Sequence, residues 1–133
     1  MLKSRDKRVI SKGWRNLPLL IQGGVIMFEI NEVKWDIKWV HSSSSKLQRS
    51  DFSFTVGMTD WNDRCIYLAN GLRGAFLRKV MAHELCHCFC LSYDIYMPIE
   101  EEERLADWIS LYGTELIYLL DRLMYGVLKD KIS

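Results

Sequence analysis

The chain changes its hydrophobic periodicity near its middle, from a repeat of two residues to a repeat of three to four. In the second half of residues 25–40, apolar and polar positions alternate, which is typical of a half-buried strand. The alternation at 52–56 predicts a second short strand. A third is predicted over Cys65–Ala69, where Asn70-Gly71 ends it. Turn residues at 57–63 separate the last two strands.

The C-terminal half has the spacing of long helices. Over residues 74–91, apolar side chains recur every three to four positions, which predicts an amphipathic helix. A connection at 92–98 follows, and Pro98 suits the first turn of a second helix, whose apolar face continues to Val127. Gly113 is expected to bend or divide this helix. A small, mainly antiparallel sheet followed by two or three helices is an α+β fold.

Length, composition and charge indicate one globular domain. The chain has 133 residues and is 49% hydrophobic, which is enough apolar material for a single core. Its net charge of +1 implies no overall attraction to nucleic acid or to an anionic membrane. Basic residues crowd the N-terminus, so we predict a basic, partly flexible arm over 1–24 and a single domain over 25–133. No stretch is long enough to span a bilayer.

The N-terminus and the cysteines favour a cytoplasmic protein. A proline and two glycines interrupt the apolar run at 17–28, so we do not expect a secretory signal peptide. Cys65 lies apart from the other cysteines, which fall on one predicted helix, where neighbours make poor disulfide partners. These three are Cys86, Cys88 and Cys90. Free thiols of this kind are typical of a reducing compartment.

The most specific chemistry lies in the first predicted helix, which contains His83-Glu84-Leu85-Cys86-His87. His83 and His87 are four residues apart, so they project from one helical face and can bind one zinc ion together. Glu84 points about 100° away around the helix. That offset lets its carboxylate reach a water on the metal without becoming a ligand. The motif is the zincin arrangement of two ligands, a general base and an open metal position.

Zinc needs a third protein ligand, and the next predicted helix begins with carboxylates. Glu103 and Asp107 share one face of that helix, whereas Glu100 and Glu101 lie earlier and are expected in solvent. We predict Glu103 as the ligand, with Asp107 fixing the ring orientation of a ligand histidine. Cys90 shares the face of the two histidines and is the alternative third ligand, although a buried, inert thiol is the simpler expectation.

The two motifs, His83-Glu84-Leu85-Cys86-His87 and Glu103-Arg104-Leu105-Ala106-Asp107, together resemble those of gluzincin metallopeptidases. They are most similar to the short ImmA/IrrE-type enzymes of phages and mobile elements. The resemblance covers about residues 51–120. It implies a zincin-like fold in which the two histidines and Glu103 hold zinc and Glu84 is the catalytic base. By analogy, the expected substrate is a specific intracellular protein such as a transcriptional repressor.

The predicted reaction is metal-assisted hydrolysis of a peptide bond. The strand around residues 64–68 is expected to form the rim of the cleft and to pair with an extended peptide. Three tyrosines are candidates for stabilising a tetrahedral intermediate, and the sequence does not rank them: Tyr93, Tyr96 and Tyr112. His41 could also be brought in by folding, although a loop histidine without this role is the simpler expectation.

Two alternative functions are also compatible with the sequence. One is a zinc-binding interaction protein that has lost catalysis. The other is a nucleic-acid-associated protease of the SprT kind, which the basic N-terminal arm and Trp14 would favour.

Overall fold

A mixed five-stranded sheet and two long helices make up the described part of the chain, residues 20–22 and 25–132 of a computed structural model. The sheet precedes the helices along the chain, so the predicted α+β class is confirmed. The strands are β1 (Leu20–Gln22), β2 (Val25–Ile30), β3 (Val33–Val40), β4 (Gly57–Asp60) and β5 (Cys65–Ala69), and the helices are α1 (Gly74–Ser92) and α2 (Ile99–Ile132). Most of the arm predicted over 1–24 lies outside the described residues; its residues 20–22 form β1.

The strands are arranged in the order β1-β2-β3-β5-β4. Three of the four pairings are antiparallel, as a mainly antiparallel sheet requires, and β3 and β5 are parallel, with Asp36 aligned with Cys65. The parallel pair arises because the chain leaves β3, crosses the sheet in residues 41–56 and runs along the edge as β4 before entering the centre as β5.

The predicted strand over residues 52–56 is wrong. Phe54 makes only an isolated bridge with Gln48, and a continuous strand begins at Gly57, where turn residues were expected. The alternating residues of this segment do not face a core: Phe52 is 79% exposed, and its φ of 69° is incompatible with a strand. The alternating pattern therefore predicted a strand wrongly here, because the apolar side chains of this segment are not buried.

An ion pair fixes the crossing segment to the sheet. Lys46 follows β3 in a short 3-10 helix (Ser45–Leu47), and its ammonium lies 2.9 Å from the carboxylate of Asp63. The hydroxyl of Tyr67 on β5 donates to the same carboxylate at 2.6 Å. These hydrogen bonds, from Tyr67 and then from Lys46, lower the pKa of Asp63. The anchored segment continues to Arg49 and Thr55, which reach the functional site.

Helix α1 packs across one face of the sheet. The core between them contains Trp35 and Ile66 from the strands and Val80 from the helix. Trp35 is fully buried, and its indole N–H donates to the hydroxyl of Ser92 at 2.9 Å. The side-chain amide of Asn31, in the turn between β2 and β3, donates to the carbonyl of Ser92 at 3.0 Å. These two bonds fix the C-terminal end of α1 to the sheet.

Helix α2 begins directly after Pro98 and continues without a break through Gly113 to Ile132. The prediction that Gly113 divides this helix is wrong, because a single helical glycine costs only about 1 kcal/mol and the surrounding turns tolerate it. The first half of α2 packs on α1, and Ala106 is completely buried at the contact. Within the described residues, neither helix combines the length and the apolar character that crossing a membrane requires.

Candidate metal centre

His83, His87 and Glu103 come together where α1 lies against the start of α2, and this group could hold a metal ion. The two Nε2 atoms of the histidines are 3.3 Å apart. One oxygen of the Glu103 carboxylate, Oε2, lies 3.2 Å from Nε2 of His83, and the other, Oε1, lies 2.9 Å from Nε2 of His87. A tetrahedral zinc site with bonds of about 2.0–2.1 Å places its ligand atoms about 3.3–3.4 Å apart. The donor atoms of the three side chains therefore lie close enough together to hold one metal ion.

Each histidine contacts a second carboxylate through its other ring nitrogen. Nδ1 of His83 lies 2.9 Å from Asp107, and Nδ1 of His87 lies 2.5 Å from Glu102. With Nδ1 engaged, both Nε2 atoms face the same point, as metal-binding histidines require. The contact of Glu102 was missed in the sequence, because residues 100–103 are all glutamate and only the packing of α2 on α1 distinguishes them.

Glu84 lies beside the group and outside it. Its side chain is buried, and one carboxylate oxygen, Oε1, accepts a hydrogen bond of 2.8 Å from the hydroxyl of Thr59 on β4. The same hydroxyl lies 3.1 Å from the backbone carbonyl of Glu84. A carboxylate held in this way keeps its other oxygen, Oε2, available for proton transfer. Thr59 was not expected at the site, because its segment was predicted to form turns.

A glycine allows β4 to lie this close to α1. A Cβ atom on Gly57 would lie 2.7 Å from Cγ1 of Val80 and 3.3 Å from Cγ of Glu84. The first distance is shorter than carbon atoms tolerate, and Val80 is a buried, branched residue with no flexible end to move away. Gly57 is therefore needed for the approach that brings Thr59 to Glu84.

Replacing Gly57 with alanine is expected to lower the free energy of unfolding by about 1–3 kcal/mol, because the added methyl group overpacks the interface between β4 and α1. Chemical denaturation measures this change. The matched control is Gly126→Ala in α2, where an added Cβ meets nothing within 4 Å. The control is expected to be neutral or slightly stabilising, since alanine favours helix. Equal stability of the two variants would contradict the packing argument.

Two adjoining clefts open on the metal group. One, of about 450 Å³, has Met58, Leu91 and Ile99 in its wall; the other, of about 350 Å³, has Phe76 and Lys79. The two clefts share six lining residues and together form one groove across the metal group. The residues common to both are Arg49, Thr55, Gly57, His83, Glu84 and Glu103.

The rim of this groove is β4, and the expectation that the strand around residues 64–68 forms it is wrong. That strand, β5, lies between β3 and β4, and all five of its residues are buried. The backbone N–H of Ala69 donates to the carbonyl of Val56, at the start of β4. Because bonded residues alternate along an antiparallel pair, the peptide groups of Gly57 and Thr59 face away from β5. Within the described residues, that edge pairs with no other strand.

The remaining candidate residues lie outside the metal group. Cys90 is buried against Cys86 and Ala106, and its burial raises its pKa. Burial raises the pKa of the Cys88 thiol to about 12, so this thiol is protonated and unreactive at neutral pH. The candidates for stabilising a tetrahedral intermediate do not line either cleft. These are His41, Tyr93, Tyr96 and Tyr112.

No protein-family model, no curated protein and no solved structure matches this chain. The resemblance to ImmA/IrrE-type enzymes therefore stays a prediction from the two motifs.

Proposed function

We propose that the protein is a zinc-dependent metallopeptidase with a zincin-like site. The observation that carries the proposal is the convergence of His83, His87 and Glu103: the two Nε2 atoms are 3.3 Å apart, close to the ligand separation of a tetrahedral zinc site, and the Glu103 carboxylate contacts both. The position of Glu84 supports catalysis as well as binding, because its buried carboxylate lines the groove next to the three ligands without being one of them.

A zinc ion bound there would supply a Lewis acid for the scissile carbonyl and lower the pKa of a bound water toward 7. Glu84 acts as the general base. Thr59 holds its Oε1, so Oε2 accepts a proton from the attacking water and later delivers it to the leaving amine. Because the side chain is buried and its Oε1 is held, Glu84 needs little reorganisation between these two steps.

The groove suits an extended peptide. Its backbone can pair with the outward-facing peptide groups of Gly57 and Thr59 on β4, as in other cases of strand addition to a sheet edge. The apolar wall at Leu91 and Ile99 would accept a hydrophobic side chain on one side of the metal. Arg49 lines both clefts, so its guanidinium is our candidate for stabilising the charge that develops on the substrate. A specific intracellular protein, such as a repressor, remains the expected substrate.

The test is hydrolysis of a mixed library of unstructured peptides by protein prepared with one equivalent of zinc. We expect cleavage that a chelator abolishes and that added zinc restores, with hydrophobic residues enriched on one side of the cut. Mass spectrometry of the products measures both. Protein that binds zinc and cleaves neither peptides nor a candidate repressor would indicate the non-catalytic interaction protein. Protein that takes up no zinc would contradict the metal site itself.

A further inference from the structure

We propose that Glu102 is a positioning residue of the metal site, which orients His87 without contacting the metal. The inference rests on the proposed metal site. Its basis is the contact of 2.5 Å between the Glu102 carboxylate and Nδ1 of His87. Both side chains are largely removed from solvent, with 15% and 11% exposed, whereas the Asp107 partner of His83 is 65% exposed. Solvent therefore screens the electrostatic attraction between Glu102 and His87 less than that between Asp107 and His83.

The chemistry of a neutral imidazole explains the role. Such a ring carries one N–H, and the nitrogen without it is the one that can bind a metal. When Nδ1 donates its proton to Glu102, Nε2 of His87 is left with a free lone pair, and it already faces Nε2 of His83. The carboxylate also stabilises the positive charge that ligation places on the ring. Glu102 therefore selects the tautomer and the ring orientation together.

The position of Glu102 excludes it as a direct ligand through this contact. Nδ1 and Nε2 are on opposite sides of the imidazole, so a carboxylate at Nδ1 is separated from the metal position by the ring itself. Glu103, the next residue of α2, approaches Nε2 of the same histidine at 2.9 Å. Two adjacent glutamates therefore contact the two nitrogens of one histidine, and they have different tasks: Glu103 binds the metal and Glu102 holds the ring.

The test compares zinc affinity in three variants by competition with a chromophoric chelator. Glu102→Ala is expected to weaken zinc binding about 10–100-fold, the usual effect of losing such a partner. Glu102→Gln should recover part of this loss, because an amide oxygen still accepts the Nδ1 proton. The control is Glu101→Ala, which removes one negative charge from the same helical turn at an exposed residue that does not line the groove. The control should bind zinc within about twofold of the wild type.

Nitrogen-15 NMR of the zinc-loaded proteins supplies a readout that a merely structural role would not change. The wild type should show a protonated Nδ1 on His87 with slow proton exchange, and Glu102→Ala should show fast exchange. Circular dichroism of the zinc-free variants checks folding. If the alanine variant does not fold, the test relies on Glu102→Gln instead.

The outcomes separate this inference from the proposed function. Wild-type protein that binds zinc while Glu102→Ala binds it equally well overturns the role of Glu102 alone. Equal weakening in Glu102→Ala and Glu101→Ala overturns it too, because the effect would then come from net charge. Wild-type protein that binds no zinc overturns both the metal site and this inference.

Discussion

Glu84→Gln is expected to reduce zinc-dependent peptide hydrolysis about 10²–10⁴-fold while the protein keeps its fold and its zinc. The amide cannot accept the proton of the attacking water, so the chemical step is lost. Its volume is almost unchanged, and an amide oxygen can still accept the hydrogen bond from Thr59, which is 2.8 Å long in the wild type. The two histidines and Glu103 are untouched. Single-turnover kinetics, with zinc content measured in the same samples, distinguishes loss of chemistry from loss of metal.

The control for this variant is Glu115→Gln, which makes the same chemical change at an exposed position of α2 that does not line the groove. Its activity should match the wild type. If Glu84→Gln hydrolysed peptides as fast as this control, Glu84 would not be the base. If it lost its zinc as well, the carboxylate would be a ligand, in conflict with its position beside the group.

His87→Ala is expected to abolish tight zinc binding and, with it, the stabilisation of the fold by zinc. A ligand that binds only the folded protein raises the free energy of unfolding by about 2.7 kcal/mol at 100 times its Kd. The wild type should therefore melt at a higher temperature when zinc is added, and His87→Ala should not. The variant also leaves Glu102 buried beside the vacated position, so its zinc-free form should be less stable. Each protein must be compared with its own zinc-free state.

The third histidine of the chain provides the control for this experiment. His41 is exposed, contacts Ser43 at 2.7 Å and lies outside the groove. His41→Ala should therefore keep the full increase in melting temperature on addition of zinc. An equal increase in His87→Ala and His41→Ala would show that zinc stabilises the fold through another site. Scanning calorimetry at several zinc concentrations measures both variants.

Both experiments address a site that depends on the local spacing of residues along one helix and on tertiary contacts with other elements. The spacing of His83 and His87 is local, because residues four apart on any helix share a face. The partners that give these residues a chemical role come from elsewhere: Thr59 from the sheet edge, and Glu102 and Glu103 from the next helix. Substitutions at these partners therefore test the tertiary arrangement, whereas His87→Ala tests the motif itself.

The local pattern of the sequence was sufficient for the elements that satisfy their own hydrogen bonds or bury a regular face. The helical spacing over 74–91 predicted α1 to within one residue of its end, and the apolar run ended by Asn70-Gly71 predicted β5 with the bounds that the structure has. It also placed two imidazoles on one face of α1. These features depend on residues within a few positions of one another, so the sequence alone could determine them.

Only the tertiary structure decided which strand borders the site and which glutamate contacts which nitrogen of His87. The sequence did not reveal that β4 lies against α1, because this approach depends on Gly57, and the need for a glycine there becomes visible only when Val80 is placed against it. Among the four glutamates at 100–103, the sequence selected Glu103 and had no means to select Glu102. Their contacts with His87 differ because of the way α2 packs on α1, a long-range contact that no local pattern encodes.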